Sequence, residues 1–297
     1  MSGRQLRQPD CAIEQAAAAV GDWWSLLLIR ELAGGLHRFD QLQAELQVSS
    51  KVLATRLTAL VADGVLERRR YSAHPPRFEY HLTDRGRGLI PVLVALQSWG
   101  AQHLMGDGGL TATTTRASLE AARVHGLVGR RIPAVTLASV DGHATDPVSP
   151  ASAWTVIYCF PGAFAPGQAG HPEGWADIPG ARGCTLESET YRDRHAEFAD
   201  LDAAIHGVST QRSDQQSAFS THAGLPFTLL SDVDLAFAAA LRLPTFHVAG
   251  VERLKRLTIV ADHERVIRYV DYPIEDPVRS VHSALEAISA MSERSRR

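Results

Sequence analysis

The spacing of apolar residues changes partway along this chain, and that change constrains the fold more than any other feature. Up to residue 105 the spacing is mostly helical, whereas from Gly126 onward strand-like runs alternate with helical ones. A chain of 297 residues is long enough for two domains with separate hydrophobic cores. We therefore expect a first domain over residues 1–105, a linker and short helix over 106–125, and a second domain over 126–297.

The composition excludes several classes of protein. With 45% hydrophobic and 21% charged residues, the chain has the composition of a soluble globular protein. No apolar run approaches the roughly 20 residues that cross a bilayer, and Met1–Gln8 lacks the apolar core of a secretory signal. We therefore expect a cytoplasmic protein with no membrane partner. The three cysteines are too few for a disulfide framework or a zinc site, and the 13 histidines lack short ligand spacing, so no metal or other cofactor is expected.

The first domain shows the element order of a DNA-binding fold. Helical spacing predicts helices over residues 11–20, 23–33, 39–46 and 50–64, then two strands over 65–71 and 77–82 and a final helix over 83–104. This is the order of an α+β winged helix-turn-helix domain. With residues 11–33 counted as the first helix, the third helix (residues 50–64) enters the major groove and the hairpin forms the wing. Residues 51–90 hold eight Lys and Arg against four Asp and Glu, an excess that suits a surface facing DNA phosphates.

The same order indicates which side chains would touch double-stranded DNA. The third helix offers short donors and cations to bases and phosphates, and the wing offers arginines to the flanking backbone. The predicted contacts are Ser50, Lys51, Thr55 and Arg56 on the third helix and Arg68, Arg70 and Arg77 in the hairpin.

Over residues 11–104 the sequence closely resembles the HxlR family of bacterial transcriptional regulators. The segments that carry this resemblance are Cys11-Ala12-Ile13-Glu14, Gly21-Asp22-Trp23-Trp24, Leu28-Ile29-Arg30-Glu31-Leu32, Arg38-Phe39-Asp40-Gln41-Leu42, Leu53-Ala54-Thr55-Arg56-Leu57 and Pro75-Pro76-Arg77-Phe78-Glu79-Tyr80. The resemblance implies a homodimer joined through terminal helices that binds an operator. In some members a cysteine near the start of the first helix senses oxidants, and Cys11 occupies that place. The alternative, that Cys11 is only a small half-buried residue, remains open.

In the second domain, strands and helices alternate. Strands are predicted over 132–137, 154–160, 204–209, 226–232, 257–261 and 266–269, and helices over 187–198, 215–222, 235–241 and 277–291. This pattern favours an α/β domain in which a mixed sheet has helices on both faces. The order of these elements and several short motifs resemble a peroxiredoxin-like thioredoxin fold. The motifs that carry the resemblance are Gly183-Cys184-Thr185, Tyr191-Arg192-Asp193, Gly207-Val208-Ser209, Leu230-Ser231-Asp232 and Arg256-Leu257-Thr258-Ile259-Val260.

Cys184 is the candidate reactive group of this domain, because it comes directly before a helical run. Unpaired N–H groups and the positive end of the helix dipole lower the pKa of a thiol at a helix N-terminus and favour the thiolate. The resemblance implies that Cys184 attacks a peroxide, that Arg256 lies beside it, and that the N–H groups of Gly183 and Cys184 receive the peroxide oxygens. Alternatively, Arg256 is a surface cation, and Arg253 and Lys255 are equally available.

Three positions depart from the peroxiredoxin pattern. The family's threonine three positions before the cysteine is Ala181, its proline seven positions before is Asp177, and a resolving cysteine five positions after is replaced by Glu189. An oxidised Cys184 would then be reduced by Cys11, Cys159, another chain or an external thiol. Cys159, in the middle of a predicted strand, is expected to be buried.

Two further features bear on the site. The segment over residues 162–180 is longer than a minimal strand-to-helix loop, so it either shields Cys184 or forms a surface excursion. Asp232 is expected to cap the next helix rather than to bind a cation.

Three functions fit these features. The first is a redox-responsive transcriptional regulator that reduces or senses peroxides through Cys184. The second is a thiol peroxidase with an accessory DNA-binding domain, and the third is a regulator whose second domain is catalytically silent. These three functions differ in whether the chain is an enzyme, and the sequence does not decide between them.

Overall fold

The computed structural model of the chain describes residues 10–168 and 170–295. Residues Met1–Gln8, where we expect no secretory signal, lie outside the described part. The chain divides into two compact units, one ending at Leu93 and the other beginning at Val94. Among the described residues, none of the helices combines the length and the apolar character needed to cross a membrane.

The first unit has the predicted order of three helices, a fourth helix and a hairpin. Its elements are α1 (Ala12–Val20), α2 (Trp23–Ala33), α3 (Phe39–Leu46), α4 (Ser50–Ala62), β1 (Leu66–Ser72), β2 (Arg77–Leu82) and α5 (Asp84–Arg87). Two side chains fix where helices begin, since Asp22 accepts the N–H groups of Trp24 and Ser25 and Ser49 accepts that of Val52. The apolar faces of α2, α3 and α4 meet in a core of Leu28, Ile29, Leu32, Leu42, Leu53, Leu57 and Leu60.

The helix predicted over residues 83–104 is wrong as a single element. The structure has the short α5 and a separate α6 (Ile90–His103). Gly88 ends α5, and Pro91 lies in the first turn of α6, where the missing N–H of a proline costs nothing. These two residues separate the helices.

The second unit is built on a mixed seven-stranded sheet. Its elements are α7 (Leu119–His125), β3 (Leu137–Ser139), β4 (Ala144–Thr145), β5 (Trp154–Cys159), α8 (Cys184–Asp193), α9 (His195–Asp200), β6 (Ala203–Ser209), α10 (Ser213–Ala223), β7 (Thr228–Ser231), α11 (Ala236–Leu241), β8 (Thr245–Val248), β9 (Val251–Leu254), β10 (Leu257–Asp262), β11 (Ile267–Asp271) and α12 (Pro277–Ser295). The strand order is β11-β10-β5-β6-β7-β3-β4. The strands β5, β6 and β7 are parallel, whereas β10 and β3 join this group antiparallel.

Three expectations for this unit need correction. The strand predicted over 132–137 is absent, because Pro133 has no N–H to donate and Arg265 takes the carbonyl oxygens of Ile132 and Pro133. The predicted helix over 187–198 begins earlier, at Cys184, and is interrupted at Arg194. The hairpin of β8 and β9 was not predicted, since two four-residue strands leave little alternation to detect.

The core of the second unit places the N-terminus of α8 against β5, an interior strand of the sheet. Tyr158, Phe160 and Tyr191 are fully buried in one cluster that also contains Cys184. The hydroxyl of Tyr158 donates to Ser188 Oγ at 3.1 Å, and so ties β5 to α8. β5 is mostly buried and is paired along both edges, so this contact fixes α8 to an interior strand of the sheet.

Candidate active site at the N-terminus of α8

Cys184 is the first residue of α8 and has only 3% of its surface exposed. The preceding Gly183 has a φ of 103°, a left-handed conformation, and a Cβ there would lie 2.9 Å from Cγ of Pro277. A glycine is therefore required at this turn. The sulfur is thus held at the positive end of the helix, as the sequence predicts.

Arg256, immediately before β10, brings its guanidinium to the sulfur. Its Nη2 atom donates to Cys184 Sγ at 3.3 Å and to the carbonyl oxygen of Arg182 at 2.9 Å. Arg256 has 3% of its surface exposed, so the alternative that it is a surface cation is wrong. A buried cation in contact with the sulfur stabilises negative charge on it.

The other two candidate cations are engaged elsewhere. Lys255 Nζ donates to Glu120 Oε1 at 3.0 Å and to the carbonyl oxygen of Thr113 at 3.2 Å. Arg253 Nη1 donates to the carbonyl oxygen of Pro161 at 3.1 Å. Of these three cations, Arg256 is the one that contacts the sulfur.

Glu187 completes the arrangement and was missed in the sequence. Its Oε2 atom accepts from Arg256 Nη1, and the side chain is fully buried. Burial raises the pKa of the Glu187 carboxyl to about 7, although the charge of Arg256 opposes that shift. The signal was its spacing: Glu187 follows Cys184 by three residues, which places both on one face of the helix. In the sequence it resembled an ordinary solvated charge.

One of the three departures from the peroxiredoxin pattern, Ala181, lies beside the sulfur. Ala181 supplies a methyl group instead of a hydroxyl, and its carbonyl oxygen lies 3.6 Å from Cys184 Sγ, within reach of a thiol S–H. The N–H groups of Gly183 and Cys184 lie at the start of α8, where backbone N–H groups have no carbonyl partner within the helix. They remain the proposed donors to a peroxide.

An open cavity of about 630 Å³ leads to Cys184. His171 and Trp175, from the segment over residues 162–180, form part of its wall. Their rings are stacked, with centroids 4.7 Å apart and an interplanar angle of 13°. Trp175 has 5% of its surface exposed and packs in a cluster with Ala112, Ile178, Ala181 and Phe246. Trp175 and Ile178 therefore anchor the described part of this segment, which is not a loose surface excursion.

The other two cysteines differ from Cys184. Cys159, in β5, is fully buried as predicted, and burial raises the pKa of its thiol. Cys11 is half-buried at the N-cap of α1 in the first unit, and its role as a sensor stays a prediction. All three cysteines are free thiols.

Asp232 caps α11, as predicted. Its carboxylate accepts the N–H groups of Phe237 at 2.9 Å and of Ala238 at 2.8 Å. Within residues 10–168 and 170–295, no group of His, Cys, Asp and Glu side chains is arranged to hold a metal ion.

The predicted DNA-contacting residues are not equally available. Ser50, Lys51 and Thr55 are exposed on α4, whereas Arg56 is half-buried and its Nε lies 3.2 Å from Asp22 Oδ1. Arg56 therefore links α4 to the start of α2.

The hairpin arginines also differ in their contacts. Arg68 lies over the ring of Phe78 at 4.1 Å, and Arg70 donates to the carbonyl oxygen of Ser72 at 3.0 Å. Arg77 is exposed at the start of β2. Arg68 and Arg70 are exposed as well but make these contacts, so within the described part of the chain Lys51 and Arg77 are the exposed cations of this set without such a contact.

Two family models match the chain. The model of the HxlR-like helix-turn-helix matches residues 19–107, and the Redoxin model matches residues 127–288. These matches confirm both resemblances and the expected fold class, a helix-turn-helix region followed by a peroxiredoxin-like thioredoxin-fold domain.

The chain is also similar to individual proteins. It is 40% identical over 93 residues to an uncharacterized HTH-type transcriptional regulator of Mycobacterium tuberculosis, covering 31% of this chain and 59% of that relative. It is 40% identical over 95 residues to another from Synechocystis, covering 32% of this chain and 70% of the relative. A solved structure of the peroxidoxin BcpB from Mycobacterium tuberculosis aligns with a TM-score of 0.46 and 24% identity, over 55% of this chain and 96% of that one.

Proposed function

We propose that this chain, which belongs to the redoxin family through residues 127–288 and carries an HxlR-like helix-turn-helix domain over residues 19–107, is a transcriptional regulator. Its binding to double-stranded DNA responds to peroxides through Cys184. The observation that carries the proposal is the contact between Arg256 and the sulfur at the start of α8. It gives a DNA-binding chain the two groups that peroxide chemistry needs, a nucleophile and a cation that stabilises it.

The oxidation step follows from this geometry. The Cys184 thiolate attacks one peroxide oxygen, so that an S–O bond forms while the O–O bond breaks. The sulfur loses two electrons to the peroxide and becomes a sulfenic acid, and the leaving oxygen takes a proton and departs as water or an alcohol. The N–H groups of Gly183 and Cys184 and the guanidinium of Arg256 would stabilise the negative charge that develops on that oxygen.

Reduction of the sulfenic acid is assigned to an external thiol. Cys159 is fully buried, and Glu189 occupies the place where related proteins have a second cysteine. One external thiol forms a mixed disulfide with Cys184 and releases water, and a second thiol then displaces Cys184. Cys11 stays a candidate for the first of these steps.

The segment between the two matched regions is the proposed path of the signal. The N–H of Ala112 donates to the carbonyl oxygen of Pro179 at 2.9 Å. A Cβ at Gly180 would lie 2.7 Å from Cβ of Thr113. We expect an oxygen added to the buried Cys184 to shift the residues packed against it, and Pro179 and Gly180 lie just before it in the chain. A shift there would reach Ala112 and, through the chain, α6.

Binding as a homodimer would turn such a shift into a change in DNA affinity. Val92, Leu96 and Trp99 on α6 are 59%, 52% and 52% exposed, and their spacing places them on one helix face. An exposed apolar face on a terminal helix supports the dimer that the HxlR resemblance implies. A change in α6 packing would alter the spacing of the two recognition helices. The proposed binding to an operator agrees with the expected cytoplasmic location.

A thiol peroxidase with an accessory DNA-binding domain is the second candidate, and the buried Cys184, Arg256 and Glu187 group favours it. The full-length protein can be mixed with hydrogen peroxide and glutathione, and peroxide consumption followed alongside oxidation of Cys184 by mass spectrometry. Oxidation of Cys184 with little turnover supports the sensor, and sustained turnover that Cys184→Ser abolishes supports the peroxidase. Absence of any Cys184 oxidation would contradict both and leave a regulator with a silent domain.

A further inference from the structure

We propose that a second cavity in the second unit binds an uncharged organic molecule with an apolar body and a few hydrogen-bonding groups. Its wall is formed by the part of α6 that belongs to this unit, the segment between α6 and α7, the start of α7, Pro179, Lys255 and two residues of β8. Among the described residues it shares no lining residue with the cavity beside Cys184. The inference therefore goes beyond the proposed response to peroxides.

The size of the cavity and the apolar side chains around it are the first argument. Its volume is about 620 Å³, within the range of roughly 300–1,000 Å³ that small-molecule sites occupy. Met105, Leu110 and Leu119 belong to its lining and are 56%, 38% and 73% exposed. Exposed apolar side chains gathered around a concave surface commonly mark a binding site. The apolar body of a ligand would remove them from water.

The hydroxyl groups of the wall are the second argument. Thr113 and Thr114 are half-buried and Thr115 is exposed, and all three line the cavity. Their hydroxyls make no hydrogen bond with another residue that the structure describes. A hydroxyl can donate one hydrogen bond and accept another, so these groups suit an uncharged polar group on a ligand, such as a hydroxyl, an amide or an N–H.

The charges of the wall are the third argument, because they offer no buried partner to an ion. Within the described part of the chain, the charged side chains of the wall are Asp107, Glu120 and Lys255. The buried Lys255 pairs with Glu120 at 3.0 Å, and Glu120 also accepts from Tyr272. Asp107 is exposed, where solvent screens its attraction for a cation. Removing a charged ligand from water would therefore go uncompensated.

Hydrogen bonds hold the segment between α6 and α7 in place, so the cavity is formed before a ligand binds. Gln102 Nε2 donates to the carbonyl oxygen of Gly108 at 2.8 Å, and Lys255 Nζ donates to that of Thr113 at 3.2 Å. The N–H of Ala112 donates to the carbonyl oxygen of Pro179. A wall fixed before binding loses little entropy when a ligand packs on it.

The test uses the reduced full-length protein and two fluorescent probes with the same apolar body. N-phenyl-1-naphthylamine is uncharged, whereas 8-anilino-1-naphthalenesulfonate carries a sulfonate on the same skeleton. Their dissociation constants are measured by fluorescence titration. Thr114→Trp fills the cavity from a half-buried position, and Leu119→Gln removes an exposed apolar side chain from its wall without opening the core. Val233→Gln is the matched control, because Val233 is 50% exposed and lies outside the lining.

We expect wild type and Val233→Gln to bind the uncharged probe at least about tenfold more tightly than the sulfonate, which must leave water without a partner. Affinity for the uncharged probe should fall at least about tenfold in Thr114→Trp, and severalfold in Leu119→Gln. If Thr114→Trp does not fold, Leu119→Gln decides the question. Equal affinity for the two probes, or an affinity that the folded cavity variants leave unchanged, would overturn the inference.

Discussion

The Nη2 atom of Arg256 lies 3.3 Å from the Sγ atom of Cys184, although 71 residues separate them in the chain. β10 pairs with β5, so the residue that precedes β10 is brought to the carboxyl end of β5. There the N-terminus of α8 presents the sulfur. The fold thus places a cation and a helix terminus around one buried thiol.

Replacing Arg256 tests this contact. In Arg256→Gln the sulfur loses its cation and Glu187 loses its partner, so we expect oxidation of Cys184 to slow by about 10²–10³, the usual effect of deleting one charged donor at a reacting centre. The measurement is the dimedone-trapping rate at pH 7. Arg268→Gln is the control, because Arg268 forms a partly exposed ion pair with Asp262 in the same unit. Equal rates in both variants would refute the role of Arg256.

Cys159 should play no part in the redox cycle. It is fully buried in β5, and burial raises the pKa of its thiol, so both access and thiolate are lacking. We expect Cys159→Ser to oxidise at Cys184 and to recover with external thiol at wild-type rates. After oxidation, the protein is searched by mass spectrometry for a Cys159–Cys184 disulfide. Detection of that disulfide would contradict this expectation.

Asp232 should make the stability of the protein depend on pH. Burial raises the pKa of its carboxyl from 3.8 to about 7, against the hydrogen bonds from Phe237 and Ala238. Between about pH 4 and 7 the unfolded chain has lost the proton that the folded chain keeps. The free energy of unfolding therefore falls as pH rises through that range.

The matched variant for this prediction is Asp232→Asn. Its amide oxygen can still accept one of the two α11 N–H groups, and the side chain does not titrate, so the slope of stability with pH is compared rather than its absolute value. Urea unfolding at pH 4.5, 5.5 and 7 should show a decline in wild type that is clearly smaller in the variant. Parallel curves for the two proteins would show that Asp232 is not the group responsible.

The DNA surface can be tested through salt dependence. Lys51→Ala and Arg77→Ala each remove an exposed cation, so we expect weaker binding to all sequences and a salt slope reduced by about one per variant. Arg212→Ala is the control, since Arg212 is exposed in the second unit and pairs with Asp214. Unchanged slopes for Lys51→Ala and Arg77→Ala would place the DNA surface elsewhere.

Arg56 illustrates what the sequence could not predict about this surface. The apolar face of α4 could be predicted from the sequence, because Leu53, Leu57 and Leu60 recur at helical spacing. The ion pair of Arg56 with Asp22 joins two helices and left no trace in that spacing. The sequence therefore located the exposed face of the helix but not how each cation on it is engaged.

At the candidate site, too, some residues could be predicted from the sequence and others could not. Cys184 was predicted from its place before a helical run, and Arg256 was predicted through the peroxiredoxin resemblance rather than from spacing. Glu187 was missed, because a glutamate in a polar helix gives no sign of being fully buried. The hairpin of β8 and β9 was missed because short strands have too few residues to establish a period. The burial of Glu187 depends on its pairing with Arg256, which lies far away in the sequence, and local periodicity does not record such a pairing.

One measurement tests most directly whether oxidation of Cys184 controls DNA binding. A duplex selected in vitro by the reduced full-length protein is labelled, and its dissociation constant is measured by fluorescence anisotropy before oxidation, after one equivalent of cumene hydroperoxide, and after added dithiothreitol. We expect the affinity to change at least about tenfold on oxidation, a difference of about 1.4 kcal/mol, and to return with the thiol. Cys184→Ser should bind the duplex with no such change. A wild-type affinity that stays constant while mass spectrometry shows Cys184 oxidised would contradict the proposed function.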